Sequence, residues 1–288
     1  MNAFNSVLVG LDLSDETANL ILNRACQLAN SKDIELLHVC DHLHHFHEDY
    51  SDGWFANSEE LDEAVIREAY NHLETVAEPF GINKCNVVGG HAAAVIHARV
   101  EQDVDLIVVG THGRKGWRLL LGSTANAVLD GTPCNVLAVR IPEIEIGQGE
   151  PYKQLLVAVD LTDESNDLLE QSLDIASRTD ASITICHVFK PIHHAYINKL
   201  TLSTRLQEAE EKAEREAEQL LAQLGCYYDI DPVHRHLRRG HPADEIHKLA
   251  DELASDLIVV GSHGKLSGST ANGVLHGAKC DALAVRMK

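Results

Sequence analysis

Basic residues are scarce. There are 24 lysines and arginines against 44 aspartates and glutamates, and the net charge is −20 over 288 residues. Neither half of the chain is basic, so phosphate backbones and anionic lipids would be repelled. That argues against sequence-independent binding to nucleic acid or membrane surfaces. It also fits the surface of a soluble cytoplasmic or halotolerant protein. No run approaches the ~18 apolar residues of a membrane span. The opening "MNAFNSVLVGLDLS" lacks a basic leader, and Asp12 interrupts its apolar run, so no signal peptide is expected there. The seven cysteines are odd in number, scattered and never arranged as CxxC, a pattern that fits reduced thiols in a cytosol.

Several catalytic signatures are missing too. The chain has no GxxxxGK[ST], no GxGxxG, no HExxH and no GxSxG. P-loop hydrolysis, dinucleotide binding, zinc proteolysis of that type and a nucleophile elbow all lose their usual sign. No strong enzyme signal remains. At most, slow ATP hydrolysis or self-phosphorylation is compatible with a bound nucleotide.

What the chain does contain, it contains twice. "VLVGLDLSDET" (7–17) matches "LLVAVDLTDES" (155–165), and "DLIVVGTHG" (105–113) matches "DLIVVGSHG" (256–264). "GSTANAVLDGTPCNVLAVR" (122–140) returns as "GSTANGVLHGAKCDALAVR" (268–286), and "LLHVC" and "ICHVF" share a His-Val pair. Such self-similarity predicts two domains, 1–141 and 152–288, joined by a linker over 142–151 that carries prolines, glycines and acids. Within each half, short Val- and Leu-rich runs alternate with amphipathic stretches such as "DETANLILNRACQLAN", for which Ser14 is the expected N-cap. Fully apolar strands alternating with helices predict a mostly parallel five-stranded sheet, flanked by helices and joined by right-handed crossovers. "VHRHL" reads as a strand, which would place His234 and His236 on one face.

In a sheet of this kind, ligands bind beyond the carboxyl ends of the strands, where the winding direction reverses. The phrase "VVGTHGRKGWRLLLGSTANAVL" (108–129) falls there. Gly110, Gly113 and Gly122 would let the backbone turn sharply and approach a ligand. Ser123 and Thr124 would add hydroxyls to the free N–H groups of a helix start, which attract phosphate. Arg114 and Lys115 could neutralise phosphate charge beside the loop.

These features together resemble the universal stress proteins in their tandem two-domain form. The family motif G-2x-G-9x-G-[ST] is matched by Gly110, Gly113, Gly122 and Ser123 with one residue missing, and "VGLDLS" fits the family's opening strand. The resemblance runs over nearly the whole chain, twice. It implies two Rossmann-like, adenine nucleotide alpha hydrolase-like domains, a role in surviving stress and, in many members, ATP at this loop. Carried over by residue, it implies that Asp12 meets the adenosine and the Val39 backbone meets the adenine. The Gly110 and Gly113 backbones would hold ribose and phosphates, and Gly122, Ser123 and Thr124 would cradle the phosphates, with Mg²⁺ or Mn²⁺ shielding them. It also implies that the closing strands "NVLAVR" and "DALAVR" pair the two domains within the chain, which would cover two apolar edges. A homodimer of whole chains is a further expectation.

The second telling of the phrase is clipped. Eight residues separate Gly113 from Gly122, but only "KLS" separates Gly264 from Gly268. Three residues span at most ~11 Å fully extended, too little to arch around a triphosphate. The first domain is therefore the expected ATP site, and the second is expected to be degenerate, serving the pairing or another ligand. Eighteen histidines suggest a different activity. His42, His44, His45 and His47 lie close to Glu48, Asp49 and Asp52, and imidazoles with carboxylates at such spacing can hold zinc or another transition metal. A scaffold or small-molecule carrier that has lost nucleotide binding is the other reading left open.

Overall fold

The computed structural model describes residues 4–13, 15–40, 58–101, 103–111, 132–141, 149–191, 203–263 and 269–287. The chain divides into two compact units. One extends to Pro151, and the other holds Tyr152–His263 with the last helix and strand.

The first unit begins with β1 (Val7–Gly10), α1 (Asp15–Leu28) and β2 (Ile34–Cys40). It continues with α2 (Ser58–Ala77), β3 (Lys84–Gly89), α3 (Ala92–Val100), β4 (Leu106–Thr111) and β5 (Asn135–Arg140). The strands lie in the order β3-β2-β1-β4-β5, and every pair is parallel. Val7, Leu8 and Val9 are buried, as are Leu106, Ile107 and Val108. This is the expected cost-free place for a continuous apolar run, because helices cover a parallel sheet on both faces.

The second unit repeats the plan. It comprises β6 (Gln154–Ala158), α4 (Ser165–Thr179), β7 (Ser182–Phe189), α5 (Ser203–Tyr227) and β8 (Arg235–Arg239). These are followed by α6 (Pro242–Leu253), β9 (Leu257–His263), α7 (Ser269–Gly277) and β10 (Asp281–Met287). The order is β8-β7-β6-β9-β10, again all parallel. In α4, Leu168, Leu169, Ser172, Ile175, Ala176 and Thr179 are buried, the i, i+3/i+4 stripe of a helix lying on a sheet. Asp180 ends that helix in the left-handed conformation.

The aspartate of each "DLIVV" run has a structural role that its sequence does not announce. Asp105 accepts hydrogen bonds from the Asn5 and Ser6 backbone N–H groups at 2.8 and 3.2 Å. Asp256 does the same for Lys153 and Gln154 at 2.6 and 2.9 Å. Each carboxylate satisfies the N–H groups that lead into the central strand and so fixes where that strand starts.

One expectation changes. "VHRHL" is not one strand: Pro232–His234 forms a 3₁₀ turn, capped by the Asp231 side chain, and β8 begins at Arg235. His234 and His236 therefore do not share a strand face. His234 Nδ1 lies 3.2 Å from Thr184 Oγ1 instead. The end of the joining segment is tied to α1. Gln27 Nε2 donates to the Gly149 carbonyl at 3.2 Å, and Arg24 Nη1 donates to that of Glu150. Gly149 has φ +76°, and a Cβ there would stand 2.9 Å from Asn23 Cβ, so both backbone angle and space favour glycine. Ser14 and residues 142–148 lie outside the described residues. Among the described residues, no helix is long and apolar enough to cross a membrane.

Candidate functional site

In both units the chain lays its first strand, builds two more to one side, and then crosses back to place the fourth beside the first. The carboxyl ends of β1 and β4, and of β6 and β9, are therefore the points where the winding reverses and a crevice opens. Asp12 follows β1 by two residues, Val39 lies near the end of β2, and Gly110 lies near the end of β4. Thus three of the residues selected from the sequence stand on neighbouring strand ends of the first unit. Gly113, Arg114, Gly122, Ser123 and Thr124 lie outside the described residues.

The turn that presents the aspartate is built alike in both repeats. The residue after it, Leu13 or Leu161, sits at φ 61° or 63°, the left-handed region that a leucine adopts only at a cost. The residue before it is pinned from two sides. Leu11 N–H donates to the Leu37 carbonyl at 3.0 Å, and His38 Nδ1 lies 2.8 Å from the Leu11 carbonyl. In the second unit Val159 N–H donates to the Cys186 carbonyl at 2.8 Å, and His187 Nδ1 lies 2.8 Å from the Val159 carbonyl. A carbonyl only accepts, so Nδ1 carries the proton in both rings. The shared His-Val pair thus serves the turn beside it. The sequence signal was there, a histidine repeated at one register, but its partner is a backbone atom almost thirty residues away.

Both aspartates accept a hydrogen bond from the hydroxyl five residues on. Asp160 Oδ1 accepts from Thr162 N at 3.1 Å, Thr162 Oγ1 at 2.7 Å and Ser165 Oγ at 2.9 Å. Asp12 Oδ1 accepts from Thr17 Oγ1 at 3.3 Å. The second carboxylate is held in a closed turn at the start of α4.

A cavity of about 200 Å³ opens at the strand ends of the second unit. Asp160, Val188 and Gly261 line it, and these are the repeat counterparts of Asp12, Val39 and Gly110. Ser165, Pro242 and Thr270, at the starts of α4, α6 and α7, line it too. Three helix N-termini bring positive partial charge to one place. Leu168, Ile246, Val260 and Met287 supply an apolar wall. Cys186 also lines the cavity, but burial pushes its thiol up to about 12, so it is no nucleophile near neutral pH.

The motif glycines serve packing as well. A Cβ at Gly110 would stand 2.8 Å from Ile21 Cδ1, and one at Gly261 would stand 3.3 Å from Met287 Cγ and Sδ. Their bareness admits a core side chain from beside the strand.

The histidines of the expected metal site, His42, His44, His45 and His47, lie outside the described residues. Among the described residues, no group of three or more His, Cys, Asp or Glu side chains is set to hold a metal ion.

Comparison with known proteins follows the same twofold division. The model of the Universal stress protein family matches residues 3–140 and again 151–286. Universal stress protein A homolog 1 of Coxiella burnetii is 34% identical over 142 residues, covering 48% of this chain and 98% of its own length. Among solved structures, a universal stress protein from Archaeoglobus fulgidus superposes with TM-score 0.61 at 20% identity, covering 98% of each chain. A functionally unknown protein of Pseudomonas aeruginosa PAO1 superposes with TM-score 0.64 at 18% identity, over 99% of this chain and 94% of its own. At these identities the two structures speak for the fold alone.

Proposed function

The chain belongs to the universal stress protein family, and from that premise we propose that it is a stress-response protein that binds ATP in its first repeat. The observation that carries this reading is the matched geometry of the strand ends. Asp12, Val39 and Gly110 stand on the ends of β1, β2 and β4, and their counterparts Asp160, Val188 and Gly261 line one cavity. In the first repeat, Asp12 and Val39 receive the adenosine. The backbone from Gly110 through Gly113 holds ribose and phosphates, and Gly122, Ser123 and Thr124 receive the phosphates, with Arg114 nearby. Mg²⁺ or Mn²⁺ bound to the phosphates offsets charge in a chain of net −20.

The second repeat takes a smaller ligand. Its cavity, about 200 Å³, is below the roughly 300–1,000 Å³ of pockets that enclose drug-sized ligands. Its loop is five residues shorter than the first repeat's, which leaves less chain to arch around a triphosphate. The role proposed is binding, with at most slow ATP hydrolysis or self-phosphorylation of the bound nucleotide. A cytoplasmic setting agrees with seven free cysteines. Pairing of the two repeats, and a homodimer of chains, belong to the same proposal.

Isothermal titration with ATP and Mg²⁺ tests it. One site per chain is expected, lost on Gly113→Val and kept on Gly264→Val. Two equal sites, or one site removed only by Gly264→Val, would refute the assignment.

A further inference from the structure

The amino ends of the second unit's strands carry a second cavity, of about 150 Å³, remote in the fold from the ligand crevice. His247, Asp251 and Ser255 come to it from α6 and the turn after it, and Gly277, Lys279 and Cys280 come from the turn between α7 and β10. Ala250, Ala254 and Ile258 complete an apolar wall.

Four observations give this cavity a chemical character. First, Ser255 is 7% exposed and its Oγ has no hydrogen-bond partner. A buried hydroxyl without a partner is costly, and a ligand or an ordered water would complete it. Second, the surroundings are electronegative. Both α6 and α7 end here, so their carbonyl ends face the same region. The Cys280 thiol is pushed up to about 12, by burial first and then by Asp281, Asp256 and Asp251. Third, His247 Nε2 lies 3.0 Å from the Val274 carbonyl, so Nε2 carries the proton, and in the neutral ring Nδ1 is an acceptor. Fourth, an ammonium group already visits the mouth: Lys279 Nζ donates to Asp251 Oδ2 at 2.5 Å, on a side chain that is 65% exposed.

The first repeat supplies the contrast. Aligned on "DLIVV", the counterpart of Ser255 is Val104. Aligned on "GTPC" and "GAKC", the counterpart of Lys279 is Pro133. The hydroxyl and the cation belong to the second repeat alone, so the fold does not require them.

We propose that this cavity binds a small primary amine, whose ammonium group displaces Lys279 from Asp251. An –NH₃⁺ group has three donors and no acceptor. Asp251, Ser255 and His247 all line this cavity and offer a carboxylate, a hydroxyl oxygen and, in the neutral ring, Nδ1, and Ala250, Ala254 and Ile258 receive a short alkyl stem. Lys279 swings into solvent, where its charge is readily hydrated.

Thermal unfolding and ¹⁵N NMR of the full chain test the proposal, with ethylammonium chloride as the probe and no nucleotide present. Tetramethylammonium chloride, which has no N–H donor, and potassium chloride serve as controls at equal ionic strength. Ethylammonium is expected to raise Tm and to shift the amide signals around Ser255 and Lys279, and the controls are not. Lys279→Ala should tighten binding by removing the internal competitor. Ser255→Val, which installs the first repeat's residue, should weaken it by roughly tenfold or more, the loss of one charge-assisted hydrogen bond. If Ser255→Val does not fold, Ser255→Ala is the replacement. Equal shifts with tetramethylammonium, no ethylammonium response in the parent and in Lys279→Ala, or unchanged binding in the Ser255 variant would each overturn it. Because ATP is absent, the outcome is independent of the nucleotide reading.

Discussion

The two repeats present the same aspartate on the same strained turn, yet the connections that follow their fourth strands differ in length. In each repeat the hydroxyl five residues on, Thr17 or Ser165, donates to that aspartate, at 3.3 and 2.9 Å. Between its second and third motif glycines the first repeat spends eight residues, and the second spends three. The shared parts lie on strands, and the differences lie in loops and in single polar side chains. A duplicated parallel sheet keeps its crevice because the topology imposes it, while the ligand of each copy is set by whatever the connections place there.

The largest effect should come from exchanging those connections. Replacing Lys265–Ser267 with the eight residues "RKGWRLLL" is expected to convert the second repeat into an ATP site, raising the calorimetric stoichiometry from one to two per chain. If the grafted chain still binds one ATP, loop length is not what separates the repeats. A smaller effect is expected where the repeats pack their motif glycines. Gly110→Ala drives a Cβ to 2.8 Å from the buried Ile21, so stability should fall by about 1–2 kcal/mol. Gly261→Ala meets the pliable Met287 at 3.3 Å and should lower it by less than ~1 kcal/mol. Urea midpoints of the two variants decide this, and equal losses would mean that the glycines are packed alike.

A further effect concerns pH and belongs to the second unit. Cys186 and Cys280 are each raised from 9.0 to about 12, chiefly by burial. Between about pH 9 and 12 the folded chain keeps two protons that the unfolded chain releases. Stability should be undiminished by these thiols below pH 9 and should fall as pH rises above it. Cys186→Ala with Cys280→Ala should flatten that fall, measured as the urea midpoint at pH 8, 9.5 and 10.5. An unchanged slope would show that the two thiols ionise alike in the folded and unfolded chains.

The sequence displayed the architecture because each strand is a short apolar run and each run occurs twice. "DLIVV" and "NVLAVR" need no tertiary information to be recognised as buried parallel strands. The candidate crevice was legible through the same repetition, since Asp12, Val39 and Gly110 are fixed by their strands. Other features depend on distant backbone atoms. The His38 ring meets the Leu11 carbonyl, and the Asp105 carboxylate meets the N–H groups of Asn5 and Ser6, partners that no local pattern reveals. "VHRHL" misled because its alternation is that of a strand, whereas Asp231 caps a 3₁₀ turn that uses up its first two residues. The second cavity was invisible because Ser255 and Lys279 are ordinary surface-type residues until α6 and α7 bring them together.

The central place of β1 has a consequence for how the protein is made. Val7 pairs with Leu106 across its inner edge, so the strand synthesised first waits for one synthesised about a hundred residues later. At ~5–20 residues per second, that wait lasts roughly 5–20 s on the ribosome. During it, Val7–Gly10 has β2 on one side and an unfilled edge on the other. A second "DLIVVG" follows in the same chain, with the same apolar pattern as the strand that belongs there. The order of synthesis favours the correct partner, because Leu106–Thr111 emerges long before Leu257–His263. Refolding from denaturant removes that ordering and lets both compete for the edge, so a nascent chain is better protected against exchanged repeats than a refolding one.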